Sequence, residues 1–247
     1  MKNNLRRAGV SGKSHAWLAF PSALPLWLRS FSHHVSLWMA TRSARRKAIL
    51  LSSLNEDIGK STNTFHIMIE CNETLFLGKH FFKVCRLYLS AFPKIERHTL
   101  RELFSASARG DAEFLRFSEN GKFIGLAYMI VRGDVAFLLY FAVEENKRDK
   151  GHGSAILEAI KDRYDGKDVV LLIESLHEEC GNMDIRVRRR GFYLRNGFHD
   201  TGLIQSSCGG EANYDILSTG ARFNREAYKY MLDNYPFKSY LEDIREA

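Results

Sequence analysis

The residues best suited to chemistry lie in Val143-Glu144-Glu145-Asn146-Lys147-Arg148-Asp149-Lys150-Gly151-His152-Gly153-Ser154, a loop that follows one apolar run and opens an amphipathic one. Two glycines let backbone N–H groups approach a ligand closely, and a helix amino terminus adds partial positive charge, so a loop of this kind suits phosphate. The segment lacks G-x-x-x-x-G-K-[ST] and the third glycine of the dinucleotide fingerprint, which excludes a Walker loop. By itself R-x-x-G-x-G also fits glycines that merely serve a turn. A second segment, Arg190-Gly191-Phe192-Tyr193-Leu194-Arg195-Asn196-Gly197-Phe198, ends a helical stretch in F-Y-x-x-x-G-F and runs directly into a strand. Metal chemistry finds no such support. His177 and Cys180 are two candidate ligands without a second pair, which reads as a polar loop. Cys71, Cys85, Cys180 and Cys208 form no C-x-x-C pair, so the chain is neither a disulfide scaffold nor a zinc module, and a reducing cytosol fits it best.

The elements around these segments follow from hydrophobic periodicity. Phe65 to Glu70 alternates as a half-buried strand would. Phe81, Val84, Cys85 and Tyr88 form one apolar helical stripe, which reads as core, and Pro93 closes the segment. Ala112 to Ser118 and Lys122 to Val131 are joined through Asn120-Gly121, a dipeptide that tolerates the positive φ of a tight hairpin. Arg132-Gly133-Asp134 then turns into Val135 to Val143, an apolar run that suits a central strand covered on both faces. Three consecutive antiparallel strands are implied. After the loop, Ile156, Leu157, Ile160 and Tyr164 mark an amphipathic helix, and Val169 to Ile173 a buried strand that should be a parallel neighbour of the strand before the loop. A further helix spans about 182–196 and ends at Gly197, with strands around 198–205 and 212–217 joined by Cys208-Gly209-Gly210. Residues 222–241 read as a closing helix or two, interrupted at Pro236. The fold class is α/β, with a mixed central sheet flanked by helices.

Together the two motifs resemble those of the GNAT superfamily of N-acetyltransferases, whose acetyl-CoA loop reads [QR]-x-x-G-x-[GA] and whose later helix carries Y-x-x-x-G-F. Here those positions are Arg148, Gly151 and Gly153, then Tyr193, Gly197 and Phe198, and the likeness spans about residues 65–220. The resemblance implies that the sheet splays between the strands ending at Val143 and Glu174, opening a slot for acetyl-CoA as cosubstrate. It implies that the stretch from Arg148 through Asp149, Lys150, Gly151, His152 and Gly153 to Ser154 holds the pyrophosphate. It implies that backbone at Val143 pairs with the pantetheine arm and stabilises the oxyanion formed on amine attack, and that Tyr193 protonates the departing thiolate. Family members that acetylate protein lysines often carry a glutamate six residues before the position matching Val143. This chain has Phe137 there, and Glu174 is the remaining candidate for the base. Phe92-Pro93-Lys94-Ile95-Glu96-Arg97 lies where the family admits its acceptor, so Glu96 and Arg97 could select it. The implied reaction is direct acetyl transfer to a primary amine, with no covalent enzyme intermediate and no metal. The alternative is a noncatalytic acyl-CoA-binding sensor.

Charge narrows the partners. The chain has 247 residues and a formal charge of +7, but residues 1–63 hold ten Lys or Arg against two acidic residues, while the rest holds 26 against 27. The basicity therefore belongs to the extension and not to the globular part, which weakens a nucleic-acid reading. Arg186, Arg188, Arg189 and Arg190 form a basic run, yet the neighbouring Glu178, Glu179 and Asp184 favour a solvated ion-paired face or a contact to a CoA phosphate over a nucleic-acid surface. Residues 1–63 read as an appendage, Ser-rich and acid-poor like an organelle transit peptide, or as upstream of a true start at Met39 or Met68. Residues 64–247 form the expected acetyltransferase domain. No window holds the 18 or so apolar residues of a membrane span. The expectation is a cytoplasmic protein whose partner is a small-molecule or peptide amine, not nucleic acid or membrane. Tyr228, Tyr230, Met231, Tyr235 and Phe237 could cover the sheet or join a second copy as a homodimer.

Overall fold

Local chemistry sets the first half of the fold. The computed structural model describes residues 68–176, 181–207, 212–237 and 241–246. The basic extension, the His177–Cys180 stretch and the Cys208-Gly209-Gly210 turn lie outside the described residues. Strand β1 is Glu70–Glu73, and Phe65 to Ile67 of the expected alternation lie outside the described residues. Helix α1, Phe81–Ala91, buries Val84, Cys85, Leu87 and Tyr88, the expected stripe with Leu87 added. Helix α2, Leu100–Arg109, begins at a reciprocal cap: Thr99 N–H donates to Glu102 Oε2 at 2.8 Å while Glu102 N–H donates to Thr99 Oγ1 at 3.2 Å. Then β2 (Glu113–Glu119), β3 (Lys122–Arg132) and β4 (Val135–Val143) follow as antiparallel neighbours. Asn120 and Gly121 take φ of 49° and 70° in the first hairpin, as a two-residue turn requires.

The second half supplies the crossover. Helix α3 (His152–Arg163) carries the chain from β4 to β5 (Asp168–Glu174), which lies parallel to β4. Helix α4 (Met183–Arg195) leads to β6 (His199–Ser207), and β7 (Ala212–Ser218) inserts between β5 and β6. Helix α5, Arg225–Asp233, is the only helix among the described residues after β7. Beyond the segment read as helical, Leu241–Glu246 forms β8 against the outer edge of β6. Its residues, Leu-Glu-Asp-Ile-Arg-Glu, show no period of two, so only the sheet edge it pairs with marks it as a strand. The sheet order is β1-β2-β3-β4-β5-β7-β6-β8.

Two apolar layers hold this sheet. One packs α1, α2 and α5 through Tyr88, Leu103, Phe114, Tyr128, Phe137, Tyr228 and Met231; the other packs α3 through Ile156, Leu157 and Ile160 against Leu115, Ile124 and Val169. Each fully buried large apolar side chain contributes about 1.5–3 kcal/mol. Tyr228 and Met231, with the partly buried Tyr235 and Phe237, cover the first face, whereas Tyr230 stays exposed.

Gly125 of β3 sets how closely the end of β4 can approach. A Cβ built there would lie 2.7 Å from the Ala142 carbonyl oxygen and 3.0 Å from Ile156 Cδ1. Backbone cannot yield as a flexible side chain can. Gly125→Ala is expected to cost about 1–3 kcal/mol, the usual range for overpacking, read as a lower urea midpoint with an unchanged slope. An unchanged midpoint would show that β4 relaxes freely there.

Candidate active site at the open end of the sheet

The ladder between β4 and β5 runs only from Val135–Asp168 to Phe137–Val170. Beyond it β5 stays paired with β7 as far as Glu174–Tyr214, so the edge of β4 that faced β5 is left open. Register then decides which backbone groups face the opening. Glu144 N–H donates to Ile124 O at 2.9 Å, which makes Gly125–Val143 a non-hydrogen-bonded pair. Val143 therefore turns its N–H and C=O away from β3, toward the side that β5 has left, and Phe141 does the same by alternation. The backbone here can accept an extended, strand-like partner. That is the arrangement a pantetheine arm would need.

The loop expected to hold phosphate, residues 148–154, follows β4 and opens α3. Gly151, at φ 80°, precedes α3, and Ala155 is the first residue to donate into the helix, to Gly151 O at 3.0 Å. The N–H groups of His152, Gly153 and Ser154 at this amino end have no acceptor within the helix. Arg148, Asp149, Lys150, Gly151 and Ser154 are exposed. Arg148 Nε donates to Val143 O at 3.2 Å, tying the loop to the end of β4, and Lys150 Nζ donates to Asn146 O at 2.8 Å. Asp149 pairs with Arg188 at 2.8 Å, a fully solvated bridge that adds little stability. His152 offers only its backbone, because its ring is buried between Lys147 O (3.0 Å) and Glu119 Oε2 (3.2 Å). Gly153 also serves packing between helices. A Cβ there would meet Phe192 Cζ at 3.1 Å, so this glycine lets α3 pack against the helix that carries Tyr193. The residues present fit a CoA-like group: exposed amides and cations for its phosphates, and open backbone for its arm.

Tyr193 packs between Phe192 and Phe198, with ring centroids 5.2 and 5.6 Å away. Burial pushes its phenol up to about 12, and Arg189 pulls weakly the other way. The phenol is therefore neutral throughout the physiological range.

The carboxylates meet across the opening. Glu174, at the end of β5, accepts from Arg189 and lies 3.6 Å from Arg186, which also donates to Ser175 O at 2.7 Å. Glu96 stands on the loop between α1 and α2, and its carboxyl is raised by desolvation and then by the charge of Glu174, with Arg189 opposing. An aromatic frame fixes that loop. Tyr140 of β4 donates to Glu96 O at 2.7 Å and accepts from His98 N–H at 3.1 Å, while Tyr88 donates to His98 O at 2.9 Å. Arg97 faces α1 instead, its Nη1 donating to Leu89 O at 2.8 Å. Phe137 is core, 6.1 Å from the Tyr228 ring, and supplies no base. Sequence reading missed Tyr140 and Gly125, since nothing local in an apolar strand separates a positioning residue from a packing one.

The remaining arginines are also paired. Arg190 bonds Asp200 and, at 2.5 Å, the buried Asp215. The run 186–190 is thus an ion-paired face within this site. Among the described residues no group of three or more His, Cys, Asp or Glu could hold a metal ion.

Comparison with known proteins bears on this geometry. Residues 110–200 match the family model described as the acetyltransferase (GNAT) domain. Among solved structures, a protein described as a GNAT-family acetyltransferase from Bacteroides thetaiotaomicron aligns with a TM-score of 0.52 and 22% identity, over 61% of this chain and 85% of that one. The ribosomal-protein-S18-alanine N-acetyltransferase of Escherichia coli aligns at 0.45 and 18%, over 64% and 97%. An aminoglycoside 6'-N-acetyltransferase in complex with coenzyme A aligns at 0.49 and 12%, over 63% and 99%. No curated protein matches the chain. The first structural likeness shows the fold, and the family model covers the hairpin strands, the phosphate loop and α4. The likeness to the acetyltransferase (GNAT) domain thus rests on residues 110–200, within a fold similar to that of the first of these structures.

Proposed function

We propose that the protein transfers an acetyl group from acetyl-CoA to a primary amine by direct attack. The observation that carries this reading is the open edge of β4, which presents Val143 backbone to the gap beside an exposed, cation-flanked helix terminus. Arg148, Lys150 and the amides of 151–154 hold the pyrophosphate. Asp149 anchors Arg188 at the rim of that loop. Bound CoA supplies the activated thioester. Val143 N–H is aimed at the carbonyl oxygen where negative charge gathers as nitrogen attacks.

Two carboxylates divide the proton work. An ammonium cannot attack, so the acceptor must lose a proton first. Glu174 is engaged by two arginines, Arg186 and Arg189. Glu96 is the better base, because desolvation and the charge of Glu174 raise its proton affinity toward the working pH. Glu174 thus acts on Glu96 by charge, and Arg97 positions the loop through Leu89. The amine nitrogen bonds to the acetyl carbon, the carbon–sulfur bond breaks, and Tyr193 donates its hydroxyl proton to the leaving sulfur. That transfer runs uphill, since thiols titrate near about 8.5, which favours a strong hydrogen bond in the transition state over early proton loss. Two carboxylates at the entrance also suit an acceptor that arrives as a cation.

Acetyl-CoA at about a hundred times its Kd should stabilise the full chain by roughly 2.7 kcal/mol, seen as a higher Tm. Gly151→Val, which forces a branched side chain to φ 80°, should lose that shift. An equal shift in the variant would remove the loop from the binding site.

Tyr193→Phe should lower kcat about 10²-fold or more, within the range for a general acid, while leaving the CoA-induced Tm shift intact. Loss of the shift with unchanged kcat would make the residue structural. A wild-type protein that binds acetyl-CoA but turns over no amine in a broad panel would favour a sensor.

The rate should rise with pH as Glu96 loses its proton, from an acid limb placed above the ordinary carboxylate range. Glu174→Gln removes the raising charge, so the limb should move to lower pH. Glu96→Gln should erase the limb and cost about 10²-fold or more in kcat/KM. A limb unmoved by either change would exclude both residues.

A further inference from the structure

The outer face of α1 is unlike every other charged surface described above. From Thr74 to Ile95 the chain carries Lys79, Lys83, Arg86 and Lys94 and no acidic residue. Lys83 and Arg86 lie on the exposed face of α1 with Phe82 and Leu89, while Lys79 and Lys94 flank its two ends. Phe82 is 75% exposed and Leu89 49%; Leu77 at one end and Ile95 at the other are 58% and 93% exposed. Four of the five arginines of α4, Arg186, Arg188, Arg189 and Arg190, reach a carboxylate, yet Lys79, Lys83, Arg86 and Lys94 form no ion pair among the described residues. The field they leave is felt nearby. His80 is held below its usual range, by burial first and then, among other groups, by Lys79, Arg116 and Lys83; the nearest opposing groups are the Gly121 carbonyl at 3.1 Å and Glu70, whose carboxylate accepts from Gly121 N–H at 3.1 Å.

We propose that this face docks on an anionic membrane surface. Unpaired cations interleaved with large exposed apolar side chains on one helix face match an interface that offers negative headgroups outside and acyl chains just beneath. Lysine and arginine stems can lie on the apolar layer while their charges reach the headgroups. The face is the convex outside of a helix, without a groove to seat a peptide, and a phosphate backbone alone would leave Leu77, Leu89 and Ile95 in water. The basic extension is a poor cover for it, since ten cations against two carboxylates would be laid on four more. No helix among the described residues is long and apolar enough to cross a membrane, so the contact would be peripheral. Docking here stands apart from acetyl transfer and does not depend on it. Ile95 precedes Glu96, so the docked face would turn the acceptor loop toward the lipid.

Co-sedimentation of the full chain with vesicles of phosphatidylcholine and phosphatidylserine at 7:3 tests this. Wild type should bind these vesicles, bind pure phosphatidylcholine weakly, and lose binding as salt rises. The pairs Phe82→Gln with Leu89→Gln, and Lys83→Glu with Arg86→Glu, should each lower partitioning on the order of tenfold or more at unchanged Tm. Binding that survives both pairs would assign it to the extension and overturn the proposal. So would the absence of wild-type binding. Variants that keep vesicle binding but lose polyuridylate or polyglutamate would give the face to nucleic acid or to an acidic protein.

Discussion

Parallel strands β4 and β5 exchange hydrogen bonds over three residue pairs and then part. A strand edge inside a sheet cannot remain open without cost, because its peptide groups have left water. The register fixes which groups those are: Val143 and Phe141 point theirs into the gap, while Ala142 spends its own on Leu126 of β3. The opening thus behaves as a missing strand. An extended ligand whose amide groups can pair with β4 fits it by the same rule that joins strand to strand.

The parting also gathers the chemistry. The helices that follow β4 and β5 both begin at this end, so the phosphate loop, Glu174 and the start of α4 converge without help from sequence proximity. Gly125 and Gly153 keep the layers close. One lets β3 approach the Ala142 carbonyl and the other lets α3 rest on Phe192. The loop carrying Glu96 is fixed by Tyr88 and Tyr140 through the backbone of Glu96 and His98. It is held by its main chain, and the Glu96 side chain stays exposed.

Charge is distributed with equal economy. On α4 Arg186, Arg188, Arg189 and Arg190 are each matched by a carboxylate, and Arg190 neutralises Asp215, which burial would otherwise make costly. Glu174 is held by two arginines and still imposes its charge on Glu96, so the arginine run tunes the site more than it advertises a surface. On α1, by contrast, Lys83 and Arg86 form no ion pair among the described residues.

Much was legible in the residues alone. Asn120-Gly121 specified a hairpin because few dipeptides accept two positive φ values, the α1 stripe specified its buried side by period, and R-x-x-G-x-G with Y-x-x-x-G-F marked the loop and helix at the site. Such signals are local, and their physics lies within a few residues of chain. The strand at Leu241–Glu246, the burial of the His152 ring against Glu119, the turn of Arg97 toward α1 and the proximity of Glu96 to Glu174 were not legible. Each depends on which edge stays free or which charge lies across a gap, between residues tens of positions apart. The sequence by itself determined where the phosphate loop and its helix begin, since backbone conformation is a local property. Only the tertiary structure decided which carboxylate is raised and which is held by arginine, since proton affinity follows desolvation and charges in space.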